Sequence, residues 1–403
     1  MPGHSPYFRH AMLRSAPVVV IAPDSFKGSL DAPGVCAAIA AGLRKVWPEA
    51  DLRARPMADG GEGTLDAVLA ASGTGALRFS HRVAGAGGHP TQAAWGRIDH
   101  AGMPTAVIEV AQVVGLTDAD GTSVPVVSRS TRGVGELMRA LLDAGVRRFM
   151  IGLGGSSTND GGSGLLAALG MRFLDRAGTA VEPTPIGLGE LAAVDASGLD
   201  PRLRDTGITI MSDVSNPLCG ARGATAVFGP QKGVEPEAVQ AIDATLSRYA
   251  SLVERAAGRP VAGNPGAGAA GGLGFALQLI GATPASGAEV VADLIGLDAA
   301  LRDADWAIAG EGRSDAQTLS GKAPYVVAAR AARAGVPVSL LSGALDAASL
   351  EALGGSFAGC FAVPGGPMTL EAAIDGTAPL LAARAEAMAR LFDAASHRAP
   401  GRP

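Results

Sequence analysis

Short apolar runs rich in β-branched residues recur along the chain. Each is followed by a polar stretch of Gly, Asp or Ser, and then by a segment whose apolar positions return about every 3.6 residues. Pro17-Val18-Val19-Val20-Ile21 leads into Pro23-Asp24-Ser25-Phe26-Lys27-Gly28-Ser29, and Asp31 is placed to cap a helix running through Val46. Leu52 to Met57 leads into Ala58-Asp59-Gly60-Gly61-Glu62-Gly63-Thr64 and a helix to Ala71. Further on, Trp306-Ala307-Ile308-Ala309 precedes the loop Gly310-Glu311-Gly312-Arg313-Ser314-Asp315. Val338 to Leu341 precedes Ser342-Gly343, and Cys360 to Val363 precedes Pro364-Gly365-Gly366. Strands whose polar residues gather at their C-terminal ends predict an α/β protein with a parallel sheet and its ligands along that edge.

The middle of the chain breaks this rhythm, with more Thr, Arg and Trp between His81 and Ile108, and a second strand and loop at Ile208 to Pro217. The reading is two α/β domains. A discontinuous Rossmann-like domain is built from residues 1–78 and 286–403, and residues 79–285 form an inserted domain, with the cleft between them as the expected site. Residues 1–14 lack an apolar signal core and read as a disordered tail. The uncharged stretch from Pro260 to Ala288 is broken by Gly and Pro and reads as loop and buried helix rather than as a membrane span.

Inside the insert, Ile151 to Gly164 (IGLGGSSTNDGGSG) carries six glycines, four Ser/Thr hydroxyls, Asn159 and Asp160 directly after Phe149-Met150-Ile151. Glycines let backbone N–H groups approach an anion, the hydroxyls add donors, and Asp160 offers a hard oxygen to Mg²⁺. An apolar helix-compatible stretch follows, so the loop is expected at a helix N-terminus. Charge sharpens the expectation. The net charge of −5 argues against a nucleic-acid or anionic-membrane partner, so an anionic substrate needs local cations. Lys27, Lys232, Arg313 and Lys322 stand in glycine-flanked loops for that purpose. The six histidines (4, 81, 89, 100, 10 and 397) fall outside the polar loops, which leaves acid–base chemistry to Asp24, Asp59, Asp160, Asp213, Glu311 and Asp315. Three widely spaced cysteines suit free thiols in a reducing compartment.

Gly321-Lys322 is followed by Ala323 and makes no Walker A motif. Gly266-Ala267-Gly268-Ala269-Ala270-Gly271 fits GxGxxG, but Asn264-Pro265 stands where a strand should end, and close helix packing explains the glycines as well. It leaves open a nicotinamide-dependent dehydrogenase of a small hydroxy acid. A non-catalytic carboxylate-binding protein is the other alternative.

Seven blocks carry a more specific resemblance: Ala22 to Leu30, Ala58 to Thr64, Ile151 to Gly164, Asp213 to Leu218, Phe228 to Gly233, Gly266 to Gly274 and Gly310 to Asp315. In this order they resemble the type I glycerate kinases of bacteria, from about Val18 to the last helix. The resemblance implies ATP-dependent phosphorylation of D-glycerate to 2-phosphoglycerate, a Mg²⁺ requirement, two α/β domains with one inserted in the other, and a cytoplasmic role in glyoxylate or sugar-acid breakdown. The chain departs from the pattern in its N-terminal tail and at Ser320, where relatives often carry His. With that chemistry, Gly154, Gly155, Ser156, Ser157, Asn159 and Gly161 are expected on the ATP phosphates, Asp160 on Mg²⁺ and Lys232 on the β/γ-phosphates. Lys27 and Arg313 are expected to grip the glycerate carboxylate, with Asp59, Glu62 and Lys322 beside them. Asp213 is the candidate proton acceptor and Asp24 its rival. Oligomeric state is left open.

Overall fold

The computed structural model describes residues 16–72 and 75–396; the tail read as disordered, with His4 and His10, and likewise His397, lie outside the described residues. Two compact units emerge. Of the described residues, the first takes those up to Asp59, Asp66–Ser72, and those from Ala288 onward; the second takes Gly60–Leu65 and the stretch that ends at Gly287. In chain order the strands are β1 (Val18–Pro23), β2 (Asp51–Ala54), β3 (Leu77–Ala84), β4 (Pro90–His100), β5 (Met103–Glu109), β6 (Arg148–Gly152), β7 (Arg172–Leu174), β8 (Ala193–Asp195), β9 (Gly207–Met211), β10 (Thr283–Ala285), β11 (Trp306–Ser314), β12 (Val338–Leu345) and β13 (Gly359–Ala362).

The first unit holds a five-stranded sheet ordered β13-β12-β11-β1-β2 with every neighbour parallel. Counted along this unit's own strands, that is the doubly wound order 2-1-3-4-5, and the order reverses between β1 and β11. Alternate residues face opposite sides. Val19, Ile21, Trp306 and Ile308 pack with Val35, Ile39 and Leu43 of helix Ala32–Arg44 and with Leu381 and Ala385 of helix Thr377–Ser396. Helix Ala323–Ala334 packs on β11, β12 and β1 and buries Val326, Val327 and Ala331. Each large side chain so buried contributes about 1.5–3 kcal/mol. Asp31 caps its helix as expected, accepting from Gly34 N at 2.8 Å, although the helix ends at Arg44 rather than Val46. One correction concerns β11 and β12, which run on through Gly310–Ser314 and Ser342–Gly343, segments whose composition reads as loop. The pairs Glu311↔Ser342 and Arg313↔Ala344 continue the ladder. Glycine serves close strand approach here: a Cβ on Gly310 would lie 2.3 Å from the Leu341 carbonyl oxygen.

The second unit holds a six-stranded mixed sheet, β10-β9-β6-β5-β4-β3. β5, β6, β9 and β10 run parallel, while β3 and β4 add as an antiparallel meander that takes up most of the stretch between His81 and Ile108. Its core gathers Ile108, Leu137, Phe149, Ile151, Tyr249 and Phe275. Within the stretch from Pro260 to Ala288, helix Leu273–Leu279 is buried along its whole length, and no helix among the described residues is long and apolar enough to cross a membrane.

Candidate active site

In the first unit the polar residues collect where the strand order reverses. Asp24 follows β1, and Glu311 and Arg313 lie on the adjoining β11. Asp24 is 8% exposed; its backbone N–H donates to the Gly310 carbonyl at 2.8 Å and its Oδ1 accepts from Ser25 N at 2.6 Å. Burial pushes its carboxyl up to about 7, and the charges of Asp59 and Glu311 act in the same direction against the Ser25 bond and the Lys27 ammonium. Glu311 is raised as well, chiefly by burial, although Thr318 Oγ1 at 2.6 Å and Ser314 Oγ at 2.8 Å donate to it and Lys322 lies close enough to oppose the rise. The cations face outward. Lys27 is exposed and the Arg313 side chain is 72% exposed, its Nε 4.0 Å from Asp315 Oδ2. A Cβ on Gly312 would lie 3.6 Å from Lys27 N, so the two cations flank one point of backbone contact. Asp315 is spent as a helix cap, accepting from Gln317 N at 2.8 Å.

The second unit holds the glycine loop, and most of it is buried. Only Gly154 and Gly155 among Gly152–Gly164 escape full burial. The helix that follows, Ser163–Ala168, has six residues. Gly154 N donates to the Gly60 carbonyl at 3.1 Å, and a Cβ on Gly154 would fall 2.4 Å from Gly61 Cα. Gly161 and Gly271 both have left-handed backbone, and Gly161 N donates to the Gly271 carbonyl at 2.9 Å. A Cβ on Gly271 would lie 2.1 Å from the Thr158 carbonyl oxygen. The Gly266–Gly271 motif therefore packs against the glycine loop backbone to backbone, with no strand before it; this arrangement removes the observation that favoured a nicotinamide enzyme.

Several expected ligands turn inward. Asp160 is fully buried, its Oδ2 accepting from Thr131 N and Thr131 Oγ1, both at 2.8 Å, and from Gly164 N at 3.1 Å, while Oδ1 accepts from Gly162 N at 3.1 Å. Burial raises its carboxyl against these bonds. A carboxylate so engaged holds the loop and does not fit the expected role as the Mg²⁺ ligand. Lys232 is buried too, with Nζ donating to the Thr158 carbonyl at 2.8 Å and to Ser156 Oγ at 3.0 Å; burial lowers its pKa to about 7. It supports the loop from behind instead of reaching out to a phosphate. Ser157 Oγ donates to the Val114 carbonyl at 3.0 Å and Asn159 Nδ2 to Thr225 Oγ1 at 3.0 Å, which leaves Gly154 and Gly155 as the accessible part. Asp213 lies exposed after β9, with Oδ1 accepting from Gly287 N at 3.2 Å; Glu62 is exposed and Asp59 half-buried.

Two supporting residues escape sequence reasoning. Arg129 is buried and donates to the carbonyls of Val124, Thr122, Ser157 and Lys232 at 2.8, 2.9, 3.0 and 3.0 Å, partners that lie up to 103 residues away in the chain. Glu109 accepts from Gly63 N and Leu65 N, each at 3.2 Å, and holds the Gly60–Leu65 segment. Its position at the end of β5 was a usable signal.

The glycerate kinase family model matches residues 19–393. The chain is 42% identical over 366 residues to a glycerate kinase of Bacillus subtilis, spanning 89% of this chain and 94% of that protein. It is also 42% identical over 328 residues to the glycerate 2-kinase of Escherichia coli, spanning 81% and 85%. The crystal structure of a glycerate kinase 2 from Salmonella typhimurium LT2 superposes with a TM-score of 0.82 at 41% identity, covering 95% of this chain and all of that one. With a match that spans both units and every loop described above, the chain belongs to the glycerate kinase family.

Proposed function

We propose that this protein transfers the γ-phosphoryl group of ATP to the 2-hydroxyl of D-glycerate, giving 2-phosphoglycerate in the cytoplasmic breakdown of glyoxylate or sugar acids. The observation that carries the reading is the match over most of the chain to glycerate kinases, a glycerate 2-kinase among them. The residues support it chemically. Phosphoryl transfer asks for positioning, neutralisation of charge and removal of a hydroxyl proton. Lys27 and Arg313 grip the carboxylate of glycerate, Arg313 with its planar fork. Asp24, buried at the end of β1 beside two carboxylates, takes the hydroxyl proton, in preference to the exposed Asp213. The exposed backbone N–H of Gly155 meets the ATP phosphates, the Gly154 N–H being given to the Gly60 carbonyl, with Lys232, Asp160 and Arg129 holding that turn from behind. Mg²⁺ prefers carboxylate oxygens, and Asp59 and Glu311, whose charges act on Asp24, would hold it. Held by these residues, it would supply neutralisation of the phosphate charge.

A coupled assay tests the proposal. With D-glycerate, MgATP, enolase and pyruvate kinase, product forms without phosphoglycerate mutase. Signal that needs the mutase rejects the 2-position, and no signal with either mixture rejects glycerate as acceptor.

A further inference from the structure

We propose that His89, Asp118 and Asp120 of the second unit form a binding site for a divalent transition-metal ion, with Zn²⁺ as the best-fitting ion, distinct from the Mg²⁺ that accompanies the nucleotide. One donor atom from each residue lies within 4.8 Å of the other two, and His89 Nε2 is 3.5 Å from Asp118 Oδ2. A tetrahedral ion with bonds of about 2.0–2.1 Å separates its donors by about 3.4 Å, so this pair already stands at ligand spacing. Asp120 is exposed and free to close the remaining distance. An imidazole with two carboxylates suits Zn²⁺ and its first-row neighbours, whereas Mg²⁺ takes oxygen.

Two further observations separate this group from an ordinary surface ion pair. Asp118 occupies the N-cap position of the helical turn Ala119–Thr122, yet its carboxylate makes no capping bond. Its Oδ2 is inaccessible to solvent and has no hydrogen-bond partner among the described residues. The Asp118 side chain is 26% exposed, but this oxygen lies on its covered side facing His89 Nε2, and a carboxylate oxygen so covered is costly unless a cation meets it. Glycines surround the group. A Cβ on Gly121 would lie 2.5 Å from Asp118 Oδ2, and one on Gly85 would lie 3.0 Å from His89 Nε2. His89 closes a tight turn in which Gly85 N donates to the His89 carbonyl at 2.7 Å, so, against the sequence expectation, this histidine does sit in a loop. The ion would tie that turn to the segment Gly115–Val124. This segment is bonded to the glycine loop through Leu116 N to Gly155 O at 2.8 Å and through Arg129. The site therefore braces the backing of the loop and requires neither glycerate nor ATP.

Equilibrium dialysis of the full chain against Zn²⁺ in excess Mg²⁺ tests the site, with Co²⁺ absorption reporting the donor set and thermal melting reporting the brace. One equivalent of Zn²⁺ is expected, with a raised melting temperature. His89→Ala and Asp118→Asn should each lower the affinity at least tenfold and abolish the thermal shift, by the loss of one ligand. Should either variant fail to fold, Asp120→Asn, at an exposed carboxylate, gives the same comparison. No retained Zn²⁺, or retention and thermal shift unchanged in the variants, overturns the proposal and leaves His89 and Asp118 as an ion pair.

Discussion

Asp24 is held against its own ionisation: desolvated, flanked by Asp59 and Glu311, and only partly relieved by Lys27. Its folded pKa of about 7 stands above the ordinary value of 3.8, so between these values the folded state binds a proton that the unfolded state does not. Stability therefore falls as pH rises from about 4 to about 7, by a few kcal/mol at most, and stays lowered above. Asp24→Asn should raise the melting temperature at pH 8 and leave it nearly unchanged near pH 4, while kcat drops by roughly two orders of magnitude or more. An unaltered kcat would return the proton-accepting role to Asp213. Arg313→Lys keeps the charge and removes the fork; kcat/KM for glycerate should fall about ten- to a hundredfold with KM for ATP steady. A depressed kcat with an unchanged glycerate KM would place Arg313 on the phosphoryl group instead. For Asp160→Asn the buried geometry reverses the sequence expectation. An amide cannot accept from all four donors, and each one left unsatisfied costs about 1–3 kcal/mol, so the urea midpoint should drop while the Mg²⁺ concentration for half-maximal activity stays put. A raised Mg²⁺ requirement would make Asp160 a metal ligand after all.

At the scale of elements, the glycine loop is held by a second glycine-rich segment. Gly161 and Gly271 meet through a backbone hydrogen bond, and both are left-handed. Gly271→Ala would combine an unfavourable backbone with a Cβ 2.1 Å from the Thr158 carbonyl oxygen, so a loss of about 2 kcal/mol or more is expected in chemical denaturation. Gly258→Ala, left-handed but open, serves as the control and should cost only the backbone strain, about 1 kcal/mol. Equal losses in the two variants would show that the contact between the segments carries no weight.

At the scale of the whole molecule, the two units differ in how the chain builds them. The second is nearly contiguous, with its whole six-stranded sheet and core between Gly60 and Gly287, whereas the first needs strands from both sides of that insert. A fragment of residues 60–287 is therefore expected to unfold cooperatively in a circular dichroism melt. A fragment of residues 288–396 lacks β1 and β2 and should not. A non-cooperative melt of the longer fragment would show that its core is insufficient alone.

Local pattern determined the alternation of strand and helix, the cap at Asp31, the parallel sheet and the polar residues at its C-terminal edge, because side-chain periodicity and capping are read within a few residues of themselves. The ordered blocks determined the family. Tertiary structure alone decided that the strand order reverses between β1 and β11, that Gly310–Ser314 is strand, and that Asp160 and Lys232 face inward while Gly154 and Gly155 stay accessible. The role of Arg129 and the meeting of His89 with Asp118 and Asp120 belong to it too. A Gly- and Asp-rich stretch looks the same in sequence whether its glycines admit a phosphate or another backbone. Which of these fills the space left by the missing Cβ depends on segments far along the chain, and a carboxylate's role depends on how many N–H groups those segments bring to it.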